Sequence, residues 1–144
     1  MAWAAQRSGL HYTAINRHLT PAEVQYVLDN CGATALFSSE SLAGVVEGLD
    51  LDAVPVRVAT SGALDGFEAY DDVLAATAGG ALEDEQEGRE MLYSSGTTGR
   101  PKGVRKPRPG TPLGDPSAAP VQITMGIAAM GVGTDSVYLC PAPL

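Results

Sequence analysis

Cysteine, histidine and positive charge are all scarce in this chain. Two cysteines, Cys31 and Cys140, in 144 residues make neither a metal-ligand spacing nor a disulfide framework. That excludes the zinc-ribbon and disulfide-stapled classes. Cys31 falls in helical register with Val24, Val27 and Leu28, the setting of a buried structural thiol. The two histidines, His11 and His18, stand in no Ser-His-Asp arrangement, and neither is a site candidate. Nine Lys and Arg against seventeen Asp and Glu leave a net charge of −8, which opposes general binding to nucleic acid or anionic membranes. No N-terminal stretch shows the basic, apolar and small-residue succession of a signal peptide. The apolar run from Val121 to Val132 is too short to span a bilayer and is interrupted by Gln122, Thr124 and two glycines. The expectation is a cytoplasmic, soluble chain with no transmembrane segment, of unspecified oligomeric state.

What is present is a single domain's worth of polypeptide with an ordinary apolar content of 44%, enough for a hydrophobic core. Ala2 to Ser8 has the character of the last turns of a helix, with Gly9 beyond its end. Leu10 to Ile15 is a strand by its β-branched and aromatic residues. Thr20-Pro21-Ala22-Glu23 is a helix start, with Thr20 as cap, Pro21 at the first position and Glu23 closing a capping box. Gly32 is its stop. Ala33 to Phe37 is a strand, Ser38 or Ser39 opens a second helix with Leu42, Val45, Val46 and Leu49 on its face, and Val54 to Ala59 is a third strand. Tyr70 to Thr77 is a short helix. Glu83, Asp84, Glu85, Glu87 and Glu90 read as a solvated acidic connector rather than a metal site. Arg89 to Ser94 is again a strand. Arg105 to Pro116 is an exposed Pro-rich loop, Ala119 onward a helix with Val121, Met125, Ala128 and Val132 on one face, and Ser136 to Cys140 a last strand. Strands alternating with helices specify a layered α/β fold with a mainly parallel sheet and flanking helices.

Chemistry concentrates in Met91-Leu92-Tyr93-Ser94-Ser95-Gly96-Thr97-Thr98-Gly99-Arg100-Pro101-Lys102-Gly103-Val104. A short apolar run feeds a loop of hydroxyls and glycines that ends in Pro-Lys-Gly. Three glycines free the backbone to turn several N–H groups toward one point, an anion nest. Lys102 adds a mobile point charge beside it. Five of the nine Lys and Arg residues fall between Arg100 and Arg108, so an acidic chain gathers its positive charge around this loop. A polyphosphate is the ligand that suits it. The pattern is not a Walker A loop, because Lys102 is followed by Gly103 rather than by Ser or Thr, and Pro101 opposes a helix through that point. In a parallel sheet a ligand binds beyond the carboxyl ends of the strands, where the loop after Ser94 would lie.

Tyr93 to Val104 resembles the signature loop of the adenylate-forming enzymes, the AMP-dependent synthetases and ligases. This superfamily includes acyl-CoA synthetases, aryl-CoA ligases, luciferases and the adenylation domains of peptide synthetases. The core Ser-Gly-Thr-Thr-Gly-x-Pro-Lys-Gly matches at every fixed position. Further stretches, Trp3 to Gly9, Ile15-Asn16, Leu19 to Glu23 and Val137 to Leu144, are similar to bacterial fatty-acyl-CoA synthetases. The resemblance implies ATP-dependent activation of a carboxylic, by this likeness fatty, acid to an acyl-adenylate, with coenzyme A as the thiol co-substrate. It implies that Ser94, Ser95, Gly96, Thr97, Thr98, Gly99 and Lys102 form the ATP-binding set, with Lys102 also catalytic. Mg²⁺ would ride on the phosphates, with the Ser94 hydroxyl as a candidate ligand and no further protein ligand assigned. Alternatives are an aryl-CoA ligase or peptide-synthetase adenylation domain, and a non-catalytic nucleotide- or phosphate-binding fragment.

Two departures from the pattern matter. Family members often continue after Pro-Lys-Gly-Val with a short His-containing segment, where this chain has the Pro-rich Arg105 to Pro116. They are also several times longer. Residues 1–144 therefore correspond to part of the large N-terminal AMP-binding domain, without the adenosine contacts, acyl site or C-terminal domain. The isolated chain is expected to hold phosphates but not to complete adenylation, and to aggregate through open sheet edges.

Overall fold

The computed structural model describes residues 1–80, 82–94, 100–119 and 121–137, with side chains from 124 onward in the last segment. Two three-stranded sheets carry the helices between them. Helix α1 (Ala2–Arg7) leads through Gly9, at φ 65°, to the short strand β1 (His11–Tyr12). Helix α2 (Pro21–Cys31) has the expected start. The Thr20 hydroxyl accepts from the Glu23 N–H at 3.4 Å, and the Glu23 carboxylate accepts from the Thr20 N–H at 2.8 Å. Its end is a left-handed Gly32 at φ 64°, whose N–H turns back to the carbonyls of Leu28 and Asp29. Strand β2 (Ala35–Ser38), a single 3₁₀ turn (Glu40–Leu42), helix α3 (Ala43–Val46), strand β3 (Val56–Ala59), strand β4 (Glu68–Ala69) and helix α4 (Tyr70–Ala76) follow in order.

Strands β2, β3 and β4 pair in parallel in that order, with Ala35 opposite Val56 and Val58 opposite Glu68. The main core lies between this sheet and the helices. Val24 and Leu28 from α2 meet Val46 from α3, Leu51, Val54, Ala59 and Leu64. Each such side chain withdrawn from water contributes about 1.5–3 kcal/mol before the entropy of ordering is counted. Three pairings are parallel and one antiparallel, so the chain is layered α/β and mainly parallel, as the alternation of elements required.

The second sheet holds the loop strand. Strand β5 (Arg89–Ser94) lies between β1, to which it is parallel, and β6 (Lys102–Arg105), to which it is antiparallel. Close docking of α1 and β1 on β5 depends on Gly88, since a Cβ there would stand 2.5 Å from the Leu10 carbonyl and 2.7 Å from that of Ala5. A 3₁₀ turn (Pro116–Ala118) and helix α5 (Val121–Met130) complete the described elements.

Several expectations need correction. Only His11 and Tyr12 of the Leu10–Ile15 strand pair with another strand, and Leu10 to Ile15 instead lines a cavity of about 830 Å³ reached by both sheets. Ser136 and Val137 are irregular, and the rest of the expected last strand, Tyr138 to Cys140, lies outside the described residues. The helix after Ser39 is a 3₁₀ turn followed by one α-helical turn. Arg105 is the end of a strand rather than the start of a loop, and the Pro-rich segment after it is docked. Thr111 accepts through its carbonyl from the Glu87 N–H, and the Leu113 N–H donates to the Glu85 carbonyl. The acidic stretch is not a solvated connector throughout. Glu87 is only 8% exposed. It accepts from Gln6 Nε2 at 2.8 Å and pairs with Arg89 at 3.6 Å, joining α1 to β5.

Candidate functional site

The predicted loop connects β5 to β6, which pair antiparallel. Ser94 and Lys102 are the last paired residues, directly opposite one another, with Tyr93 opposite Gly103 and Leu92 opposite Val104. Ser95, Gly96, Thr97, Thr98 and Gly99 lie outside the described residues, so the structure places two of the seven candidates, Ser94 and Lys102, and brings them together at the hairpin mouth. A strand partner for β5 was not expected. Lys-Gly-Val-Arg is short and contains a glycine, and the preceding Pro101 signalled only that no helix continues there.

Gly103 has a steric reason to be glycine. A Cβ at that position would stand 2.7 Å from Met91 Cε and 2.8 Å from Tyr93 Cζ. The Tyr93 ring therefore lies across the hairpin over Gly103 and continues outward, donating its hydroxyl to Asn30 Oδ1 of α2 at 2.6 Å. Burial raises the Tyr93 pKa above its ordinary value, with the neighbouring Cys31 and Tyr26 adding to the shift. On the other side of the loop, the Arg100 guanidinium lies over the Tyr26 ring, 5.3 Å from its centroid. Tyr26, Asn30 and the two contacts they make went unnoticed in the sequence. The available signal was two polar or amphipathic residues at i, i+4 on α2, beside the buried positions Val24, Val27 and Leu28.

The cluster of cations divides by what each one touches. Lys106 pairs with Glu90 of β5, and Arg108 donates to the Gly9 carbonyl at 2.7 Å. The first ties the two arms of the hairpin together, and the second holds it to the segment after α1. The Lys102 side chain is exposed, and its ammonium makes no hydrogen bond or ion pair among the described residues. An ammonium and a hydroxyl at the two ends of a Ser/Thr/Gly sequence are donors that suit an oxyanion. No group of three or more His, Cys, Asp or Glu that could hold a metal is found among the described residues. Pairing with Lys106 holds the Glu90 carboxyl below the usual carboxylate range, against the opposing effect of burial.

The residues set aside keep structural roles. His11 Nε2 is hydrogen-bonded at 2.9 Å to the Lys106 carbonyl, and the Asn16 side chain accepts from the His18 N–H. Cys31 is half-buried, and burial pushes its thiol pKa up. The cavity of about 830 Å³ is lined from β1, β2 and α2 and includes neither Ser94 nor Lys102.

Residues 1–144 match the AMP-binding enzyme family across their whole length. The chain belongs to that family. It is 37% identical over 89 residues to the 2-succinylbenzoate–CoA ligase of Geobacillus kaustophilus, a match covering 62% of this chain and 16% of the relative. It is 32% identical over 92 residues to the long-chain-fatty-acid–CoA ligase of Thermus thermophilus, covering 62% of this chain and 17% of the relative. Among solved structures it is similar to the anthranilate CoA ligase AuaEII in complex with anthranoyl-AMP. That match has a TM-score of 0.51 and 26% identity, and covers 67% of this chain and 20% of the other. The matched stretches thus span a fifth or less of these relatives. No helix among the described residues is long and apolar enough to cross a membrane.

Proposed function

We propose that this AMP-binding-family chain is the phosphate-holding part of an ATP-dependent acid–CoA ligase. The observation that carries the reading is the register of Ser94 opposite Lys102, whose ammonium has no partner among the described residues, at the two ends of the sequence Ser-Gly-Thr-Thr-Gly. In the reaction the substrate carboxylate attacks the α-phosphorus of ATP. The bond to the bridging oxygen breaks, and pyrophosphate leaves with that oxygen. The thiol of coenzyme A then attacks the acyl carbon of the adenylate, loses its proton and expels AMP. Negative charge builds on the departing pyrophosphate, and fixed donors aimed at it lower the barrier without reorganising. Lys102 supplies the point charge, and the Ser94 hydroxyl and the turn residues Ser95 to Gly99 supply the hydrogen bonds. Bound with the nucleotide, Mg²⁺ would neutralise further phosphate charge, with the Ser94 hydroxyl as a candidate ligand.

The acid is a carboxylic acid of unassigned side chain. Named relatives act on succinylbenzoate, long-chain fatty acids and anthranilate, and the likeness of Trp3–Gly9 and Leu19–Glu23 to fatty-acyl-CoA synthetases favours a fatty acid. The test is Lys102→Ala in the adenylating protein. The expected outcome is adenylation slowed by about 10²-fold or more, read as ATP–pyrophosphate exchange; an unchanged rate would remove Lys102 from its role. Purified residues 1–144 are expected to bind ATP in a Lys102-dependent way without catalysing exchange. Robust exchange by the pure chain would show that the acyl and adenosine contacts are already present within it.

A further inference from the structure

The residues that enter and leave the phosphate turn are both held by the same face of α2. Tyr93 is the residue before Ser94, and its hydroxyl donates to Asn30 at 2.6 Å. Arg100 is the residue after Gly99, and its guanidinium covers the Tyr26 ring at 5.3 Å. Tyr26 and Asn30 are four residues apart in one helix, so their side chains stand one above the other. Helix α2 is itself fixed at both ends, by the Thr20–Glu23 box and by Gly32, and Val27 on it is 2% exposed. A rigid element thus holds the two stems of a turn whose chemistry needs convergent donors.

We propose that Tyr26 and Asn30 are positioning residues that clamp the two stems of the phosphate turn to α2 and so set Ser94 and Lys102 for an incoming phosphate. The ligand half of this inference rests on the function proposed above; the clamp itself does not. Physically, fixing Tyr93 and Arg100 lowers the number of conformations open to Ser94 and Lys102 before a ligand arrives. Fewer are then lost on binding, so the gain appears as affinity. Neither residue touches the phosphate in this scheme. Arg100 is also turned toward α2, whereas the Lys102 ammonium has no partner among the described residues.

The experiment uses the whole chain and two independent readouts. The first is amide hydrogen exchange at Ser94, Lys102 and Gly103, which needs no ligand. Asn30→Ala and Tyr26→Leu should each speed exchange there about fivefold or more while β2 and β3 stay protected. The second is ATP affinity by equilibrium binding, expected to weaken about three- to tenfold in either variant. Asn30→Asp, which retains an acceptor for the Tyr93 hydroxyl, should restore both. Tyr93→Phe combined with Asn30→Ala should be no worse than either alone, because one bond is lost in all three. Unchanged exchange in the variants would overturn the clamp. Faster exchange with unchanged ATP affinity would overturn its role in positioning. A wild-type chain that binds no ATP would defeat the proposed function and the ligand half together, with hydrogen exchange still deciding whether the clamp exists.

Discussion

Gly103 shows how one residue can serve chemistry without taking part in it. The glycine in Pro-Lys-Gly is where the Tyr93 ring crosses the hairpin, and that crossing lets the phenol reach α2. Gly103→Ala would push a methyl into Met91 Cε and the ring. The methionine tip can swing away, but the ring is held at its far end. Overpacking of this kind costs about 1–3 kcal/mol. The expected result is a lower unfolding midpoint in denaturant together with loss of the Tyr93–Asn30 bond, visible as a change in tyrosine fluorescence. An alanine variant of unchanged stability would mean that the ring is not confined. Sequence alone marks Gly103 as part of a motif. It does not say what presses on it, because Met91 and Tyr93 reach it only through the pairing of β5 with β6, and the ring's anchor, Asn30, is far away along the chain.

At the scale of elements, the local signals were the dependable ones. Thr20, Pro21, Glu23 and Gly32 fix both ends of α2 through bonds made within a few residues, so their meaning could be read from spacing; replacing such a cap costs about 0.5–2 kcal/mol. Strand β5 was legible for the same reason. Strand β6 was not, since its identity comes from pairing with β5 and not from its own residues. Nor was the fate of the acidic stretch, where Glu85 pairs with Arg7, Glu87 accepts from Gln6 and Glu90 pairs with Lys106, each partner from another segment. The hairpin also carries a pH dependence. Glu90 on β5 has its pKa lowered chiefly by Lys106, just beyond β6. A group with a depressed folded-state pKa stabilises above its unfolded value and ceases to do so as pH falls through the folded one. Hairpin protection should therefore be fully present at neutral pH and decline in acid below the ordinary carboxylate range. Lys106→Met should flatten that decline, as followed by amide exchange at Leu92 and Val104. An identical acid profile in the variant would rule out the pair as its source.

For the molecule as a whole, a good deal of apolar surface is left uncovered. Trp3 is 74% exposed and Met130 79%, and the cross-strand pair Leu92 and Val104 is 48% and 57% exposed. Among the described residues strands β1 and β2 are both sheet edges, and both border the cavity of about 830 Å³. Open edges beside apolar surface favour association with other chains. Isolated residues 1–144 should self-associate with rising concentration across the μM–mM range in sedimentation velocity; a strictly monomeric boundary throughout would contradict this. The site was legible as a string of donors and a lysine, and the family followed from that string. Its geometry was not legible, because the hairpin partner and the α2 brace are properties of the assembled chain.

The order of the strands also bears on how the site comes into being during synthesis. The β2–β3–β4 sheet and α2 join residues close in sequence, whereas α1 reaches the loop strand through Gln6 and Glu87, 81 residues apart. Contacts of long sequence separation form late, since closing a long loop must precede any gain from it. On an emerging polypeptide, the first helix and β1 must wait until the loop strand has left the ribosome. The candidate phosphate segment is then the piece that recruits α1 and β1 into the fold.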